Sequence, residues 1–226
     1  FYRATKQFLL FGTGQGSGAS PSVWLTLVIC LLFALTALAT VAMTFADPWQ
    51  DLLDERNADA FVDDSANGIS DAHLDAPMSV PEIICHLQHT AQTWEWILYS
   101  SGGALEIPKC FWYLVYWEWP KGRPTMATSI SAPATVALTK GSTPVYTVVQ
   151  CKETWEAMHT LGVRVAPNGN YKSEALFLQA KADNFAQRLL ISNLSGMDMF
   201  IFHRSTYVPS MTYSCCVTTL KPDTLI

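Results

Sequence analysis

The chain has 226 residues, of which 50% are hydrophobic and only 15% are charged. This composition excludes a wholly disordered chain and is sufficient for one domain or two small ones. Fourteen basic and nineteen acidic side chains give a net charge of −5, which argues against a broadly basic nucleic-acid-binding surface. The acidity is local, because nine carboxylates and a single basic residue, Arg56, lie between Asp47 and Asp75.

The first predicted element is a short strand over residues 7–11 that enters a glycine-rich turn over residues 12–18. The four glycines of this turn, which also contains Gln15 and Gly16, permit a close approach of the backbone to a ligand. A phosphate-binding P-loop is not predicted, because the turn lacks the lysine that such a loop requires. Taken alone, the pattern fits a flexible loop and a ligand-binding loop equally well.

Residues 23–45 form an uncharged stretch of twenty-three residues, which is long enough to cross a bilayer. Its four threonines, its many alanines and its lack of flanking cations favour a buried helix instead. Ser20 suits the N-cap of that helix and Pro21 its first position. We therefore predict a buried helix and no stable membrane association, with an integral membrane protein anchored by residues 23–45 as an alternative.

Residues 58–69 predict a hairpin that carries two adjacent acidic residues, Asp63 and Asp64. The apolar residues before them favour a first strand, the Asn-Gly pair at 67–68 favours a turn, and residues 69–71 would form the second strand. Neighbouring carboxylates repel each other, so a fold that places them together usually supplies a cation. Carboxylate oxygens at a hairpin tip suit Mg²⁺, and a solvated acidic loop is the alternative.

The later elements are predicted from periodicity and from turn residues. A helix begins after Ser79, which forms a capping box with Glu82, and ends at the glycines 102 and 103. An aromatic-rich strand follows over residues 111–119, and we expect its rings to be buried, with base stacking as the alternative. The remaining predictions are a hairpin of residues 135–138 and 145–151 and two helices, which start at Ser173 and near Met197.

Four stretches then follow one another along the chain: Gln15-Gly16 with Ser20-Pro21, the aromatic-x-Asp-Asp box of residues 61–64, Lys109, and the turn Leu161-Gly162-Val163. In this order and spacing they resemble successive motifs of a reverse transcriptase palm domain of the type found in non-LTR retroelements. The resemblance covers nearly the whole chain. Its order and spacing support it more than any single motif does.

The resemblance implies an α+β fold, in which an antiparallel polymerase palm sheet packed on helices spans residues 1–171 and a small helical thumb spans residues 172–226. It implies RNA-directed DNA polymerisation, with an RNA template, a DNA primer and deoxynucleoside triphosphates as partners. Asp63 would be the principal ligand of the catalytic Mg²⁺ ions, and Asp64 the auxiliary ligand.

The resemblance also assigns roles to the other motif residues. Gln15, Gly16 and Phe61 would line the nucleotide and template pocket. Lys109 would act on the departing pyrophosphate as a catalytic residue, or would be a solvated lysine at a strand end. Residues 161–163 would form the primer grip, for which a simple tight turn is the alternative.

One catalytic element of the family has no counterpart in this sequence. The family carries a further catalytic aspartate before the Gln-Gly motif, whereas none of residues 1–11 is acidic. We therefore expect a fragment that lacks the fingers and the first palm motif, has an incomplete two-metal site, and is inactive alone. An inactive retroelement relic is the other alternative, and the sequence does not distinguish it from a piece of a live enzyme.

The six cysteines do not predict a zinc site, because the chain has no Cys-x-x-Cys pair and no histidine at zinc spacing. Most of them lie in apolar runs, so we expect small buried side chains. This usage is typical of an intracellular protein, nuclear or cytoplasmic.

Overall fold

The computed structural model describes residues 20–38, 41–46, 53–56, 58–61, 64–71, 76–141, 143–216 and 218. Helices and small antiparallel sheets are mixed along these residues, which confirms the predicted α+β class. The chain divides into two compact units. Unit 1 comprises the described residues up to Trp112 and residues Ser129–Cys151, whereas unit 2 comprises Tyr113–Thr128 and the described residues from Lys152 onward.

The regular elements of the described residues in chain order are α1 (Ser20–Leu38), β1 (Met43–Ala46), β2 (Leu53–Arg56), β3 (Ala58–Phe61), β4 (Asp64–Asn67), α2 (Val80–Ser100), β5 (Phe111–Tyr113), β6 (Trp117–Glu118), β7 (Thr125–Met126), β8 (Val136–Thr139), β9 (Tyr146–Lys152), β10 (Met158–Thr160), β11 (Val163–Val165), α3 (Lys172–Leu190), α4 (Gly196–Phe202) and α5 (Val208–Thr212). Antiparallel pairs join β1 to β2, β3 to β4, β6 to β7 and β10 to β11. A three-stranded sheet has the order β5-β9-β8.

Helix α1 packs one apolar stripe against α2, so the prediction of a buried helix was wrong for its other faces, where Phe33, for example, is 73% exposed. Leu31 and Leu35 of α1 are buried together with Trp94 of α2, and Ala58 of β3 packs against this cluster. The spacing of four residues between the two leucines places them on one face of the helix, as the burial requires. This cluster is the core that joins both helices of unit 1 to strand β3.

The uncharged stretch over residues 23–45 is only partly helical, because α1 ends at Leu38 and residues 43–46 form strand β1. Within the helix, the hydroxyls of Thr26 and Thr36 donate hydrogen bonds to the backbone carbonyls four residues earlier, each at 3.0 Å. These polar groups are thereby satisfied by the helix itself. Among the described residues, no helix combines the length and the apolar character needed to cross a bilayer.

Helix α2 begins and ends as its sequence predicts. The Glu82 carboxylate accepts hydrogen bonds from the backbone N–H and the hydroxyl of Ser79, at 2.8 and 2.6 Å. At the other end, Gly102 has a φ of 90°, and the N–H of Gly103 donates to the carbonyl of Leu98 at 2.8 Å. This is the Schellman arrangement, in which a glycine adopts the left-handed conformation that closes the helix.

Side chains of α2 cover the free edge of strand β8. The amide of Gln88 bonds both the N–H and the carbonyl of Ala137, and the amide of Gln92 does the same for Thr139. The N–H of Gly141 donates to the Glu95 carboxylate at 2.8 Å. An uncovered sheet edge exposes unpaired backbone groups. The side chains of α2 therefore satisfy backbone groups at the outer edge of β8, in the predicted β8–β9 hairpin.

The aromatic segment over residues 111–119 differs from its prediction in two ways. It forms two short strands, β5 and β6, rather than one. Trp112 is buried as expected, but Trp117 and Trp119 are 50% and 66% exposed. Burial of these two rings was therefore wrongly predicted, because only β5 joins the three-stranded sheet.

In unit 2, helix α3 packs on the β10–β11 hairpin. Val163, Ala175 and Leu178 are buried, and the backbone N–H of Arg164 donates to the buried Glu174 carboxylate at 2.8 Å. The predicted helices near 173 and 197 are confirmed as α3 and α4. The predicted boundary between palm and thumb at residue 171 stays a prediction.

All six cysteines lie in the described part of the chain, and they form no disulfide bond there. Cys30, Cys85, Cys215 and Cys216 are exposed, and the other two are partly exposed. The expectation that these side chains are buried was therefore wrong for most of them. Apolar neighbours in sequence do not decide burial, because helix faces alternate between core and solvent.

Candidate functional site

Strands β3 and β4 form an antiparallel hairpin, residues 58–67, which we call the acidic hairpin. Ala58 pairs with Asn67 at one end, and Phe61 pairs with Asp64 at the other. The strands are connected through residues 62 and 63, which lie outside the described residues. The register therefore places the backbone of Asp64, the second residue of the acidic pair, at the connecting end of the hairpin.

The hairpin was predicted, but its second strand begins earlier than expected. Asp64 is already the first residue of β4, and residues 69–71 are not in a strand. Gly68 follows β4 instead of forming the turn, and a Cβ atom added to it would lie 2.5 Å from the Sδ of Met43. Gly68 therefore lies against the flexible end of the Met43 side chain in β1 and is not part of a turn.

The acidic hairpin is anchored to helix α2 by one tryptophan. The Nε1 of Trp94 donates a hydrogen bond to the hydroxyl of Ser65 at 3.0 Å, and the Trp94 side chain is only 3% exposed. Ala58 packs against the same cluster from the other strand. Because both strands contact this core, the helix fixes the position of the hairpin.

Arg56, the last residue of β2, forms ion pairs with two carboxylates, Asp54 of β2 and Asp59 of β3. Its Nε lies 2.6 Å from an Asp54 oxygen, and its Nη1 lies 3.5 Å from Asp59. The hydrogen bond and the charge of Asp54 raise the pKa of Arg56 above its ordinary value. Asp54 and Asp59 thus have a cation within the fold. The adjacent pair, Asp63 and Asp64, stays the pair of metal ligands that the sequence predicts.

The donor chemistry of this pair fits Mg²⁺, which prefers carboxylate oxygens and completes its octahedron with waters and phosphates. Asp63 and the side chain of Asp64 lie outside the described residues. Within the described part of the chain, no three Asp, Glu, His or Cys side chains are grouped as a metal site. Asn67 has a buried Oδ1 with no hydrogen-bond partner there, but it lies at the far end of the hairpin, about 10 Å away by strand geometry.

The other predicted pocket residues are distributed along unit 1. Gln15 and Gly16 lie outside the described residues. Lys109 ends a short 3₁₀ turn, Ile107–Lys109, and is exposed, so it does not follow a strand as predicted. Leu105, just before this turn, packs against the same cluster as the acidic hairpin does. The Lys109 segment and the hairpin therefore adjoin one core.

The predicted primer grip is the two-residue turn between β10 and β11. Leu161 and Gly162 have φ values of 49° and 87°, which is the left-handed region that a tight hairpin turn requires. The hydroxyl of Tyr213 donates to the carbonyl of Leu161 at 2.9 Å, and its ring lies against Gly162. Sequence analysis missed Tyr213, because fifty-two residues separate it from Leu161 and no local pattern connects them.

Comparison with protein-family models, with curated proteins and with solved structures found no match for this chain. Its function is therefore inferred from its own residues and geometry.

Proposed function

We propose that this chain supplies part of the palm of a non-LTR-type reverse transcriptase, an RNA-directed DNA polymerase. The pairing of Phe61 with Asp64 carries the proposal, because an antiparallel hairpin at this point of the chain is what the aromatic-x-Asp-Asp box predicts. The order of the four sequence motifs supports the same function. The partners would be an RNA template, a DNA primer and deoxynucleoside triphosphates.

The proposed reaction joins a nucleotide to the primer. The 3′-hydroxyl of the primer attacks the α-phosphate, a new P–O bond forms, and the bond to the leaving pyrophosphate breaks. When bound, two Mg²⁺ ions would lower the pKa of the attacking hydroxyl and neutralise the charge that develops on the pyrophosphate. Asp63 would hold these ions as the principal ligand, with Asp64 as the auxiliary.

The remaining residues would position the substrates. Gln15, Gly16 and Phe61 would line the pocket for the nucleotide and the template. Lys109 would pair with the departing pyrophosphate or protonate it, and its exposed side chain is free to reach a phosphate. Residues 161–163 would hold the primer end, since Tyr213 fixes the backbone of that turn.

Primer extension on an RNA template by the product of the whole reading frame tests this proposal. Asp63→Asn should reduce extension by more than about 100-fold, since even the outer partners of metal ligands contribute 10- to 100-fold. Asp59→Asn is the matched control, because it makes the same change on the same hairpin at a carboxylate that faces Arg56. Equal activity of the two variants would contradict the proposal, and an inactive parent protein would favour the relic.

A further inference from the structure

A second hairpin, residues 117–126, contains none of the residues assigned to the reverse transcriptase motifs. We call it the tryptophan hairpin. Trp117 pairs with Met126, and Glu118 pairs with Thr125. The connection contains a 3₁₀ turn, Pro120–Gly122. This short ladder displays residues 119–124 as a projecting loop.

The tryptophan hairpin exposes two large aromatic rings. Trp117 is 50% exposed and Trp119 is 66% exposed. Trp117 lies in β6, and Trp119 follows the strand directly, at the start of the loop, with a φ of −118° and a ψ of 56°. The two rings are therefore near neighbours along the chain. Two neighbouring indoles in solvent are an unusual surface, because tryptophan is highly buried on average.

Cations flank these rings at the tip of the loop. Lys121 and Arg123 are both exposed, and within the described part of the chain neither forms an ion pair. Lys121 has a φ of 55°, and Gly122 after it has a φ of 72°, so the turn reverses sharply at the lysine. Unit 2 as a whole carries nine basic and seven acidic residues, whereas unit 1 carries five and twelve.

We propose that the tryptophan hairpin binds single-stranded nucleic acid. The indoles of Trp117 and Trp119 stack on successive bases, and Lys121 and Arg123 pair with the backbone phosphates. Stacking on aromatic rings together with cations along the strand is the chemistry of binding without sequence preference. The choice of ligand class rests on the proposed function, which requires a template strand, whereas the surface uses none of the palm motifs.

The test is equilibrium binding of fluorescently labelled single strands to the 226-residue chain, measured by anisotropy. Oligouridine and oligothymidine of about twelve nucleotides separate RNA from DNA as the ligand. Trp117→Ala and Trp119→Ala should each weaken binding by about 5- to 100-fold, and Trp119→Phe should retain most of it. Trp155→Ala is the matched control, because this ring is also 50% exposed in unit 2 but lies outside the hairpin.

The contribution of Lys121 and Arg123 is measured separately, from the salt dependence of the binding affinity. Lys121→Gln and Arg123→Gln should each reduce the slope of log affinity against log salt concentration by about 0.7, because one phosphate contact is lost. Absence of binding at low salt, an equal loss in Trp155→Ala, or binding of a proline-rich peptide in place of the oligonucleotides would overturn the proposal.

The titrations are done in EDTA, without nucleotides, so that they do not depend on catalysis. Asp59→Asn, on the acidic hairpin but outside the proposed metal ligands, should bind the single strands as the parent chain does. If the chain binds single strands through the tryptophan hairpin but the whole protein has no polymerase activity, the proposed function is rejected and the binding role of the hairpin stands. Polymerase activity in the whole protein, together with unchanged strand binding in both tryptophan variants, would support the proposed function and reject the binding role of the tryptophan hairpin.

Discussion

The acidic hairpin and the tryptophan hairpin are both two-stranded and antiparallel but differ in chemistry. The sequence of the first has adjacent carboxylates at positions 63 and 64, which suit a cation, and the second carries lysine, arginine and indoles, which suit phosphates and bases. Tryptophan also has a different role in each hairpin. Trp94, 3% exposed, holds the acidic hairpin in place, whereas Trp119, 66% exposed, contributes a free surface. The neighbours of a side chain, and not its type, decide whether it serves structure or binding.

The two units of the chain repeat this contrast on a larger scale. Unit 1 has seven more acidic than basic residues, and unit 2 has two more basic than acidic residues. A net charge of −5 therefore conceals a separation of charge along the chain. The objection that an acidic protein should not bind nucleic acid applies to unit 1 alone.

The largest expected effect is the loss of the ring that anchors the acidic hairpin. Trp94→Ala should lower the free energy of unfolding by about 3–5 kcal/mol, because it leaves a cavity between α1, α2 and β3 and removes the bond to Ser65. Urea unfolding of the chain measures the change.

Two tryptophans on the surface serve as its controls. Trp96→Ala, on the same helix, and Trp119→Ala should each change the free energy by less than about 0.5 kcal/mol, because both rings are more than half exposed. A large loss of stability in Trp119→Ala would mean that the tryptophan hairpin is structural, and would remove the contrast.

A smaller effect is expected at the turns. Gly162→Ala should cost about 1–2 kcal/mol, because its φ of 87° is unfavourable for a residue with a Cβ atom. That atom would also lie 3.2 Å from the ring of Tyr213.

Gly122→Ala, in the loop of the tryptophan hairpin, is the control for the backbone effect. Its φ is 72°, but nothing lies within 4 Å of an added Cβ atom. Thermal unfolding should therefore show a smaller loss for Gly122→Ala than for Gly162→Ala. Equal losses would mean that Tyr213 does not clamp the predicted grip.

The smallest effect concerns the pH dependence of helix α2, which carries Trp94. The hydrogen bonds from Ser79 lower the pKa of Glu82 below its ordinary value of 4.5. A depressed pKa in the folded state means that this contribution to stability is present above pH 4.5 and is lost as the pH falls through the folded pKa. Acid unfolding of Glu82→Gln, followed by circular dichroism, should show a shallower dependence in this range, and an unchanged curve would contradict the assignment.

Much of the fold follows from local sequence, and the errors have identifiable causes. Capping residues and apolar spacing predicted α2 correctly, and the apolar run before the Asp pair predicted β3. The second strand was misplaced because an Asn-Gly pair is the usual sign of a turn, whereas Asn67 here ends β4 and Gly68 lies against the Met43 side chain. Such a close approach between distant strands has no local pattern.

The candidate sites show the same limit. The acidic pair was predicted as a site because adjacent carboxylates beside an aromatic residue form a recognisable motif, and its role as a metal site stays a prediction. The partners that position each site could not, since Trp94 reaches Ser65 across twenty-nine residues and Tyr213 reaches Leu161 across fifty-two. The exposed face of Trp117 and Trp119 was missed because aromatic strands are usually buried.

The most direct test of the central claim is binding of Mn²⁺, a spectroscopic substitute for Mg²⁺, to the 226-residue chain, followed by electron paramagnetic resonance. We expect weak, saturable binding that is lost in Asp63→Asn, reduced in Asp64→Asn, and retained in Asp59→Asn. Binding that persists in Asp63→Asn, or that falls equally in Asp59→Asn, would show that the connecting end of the acidic hairpin is not a metal site.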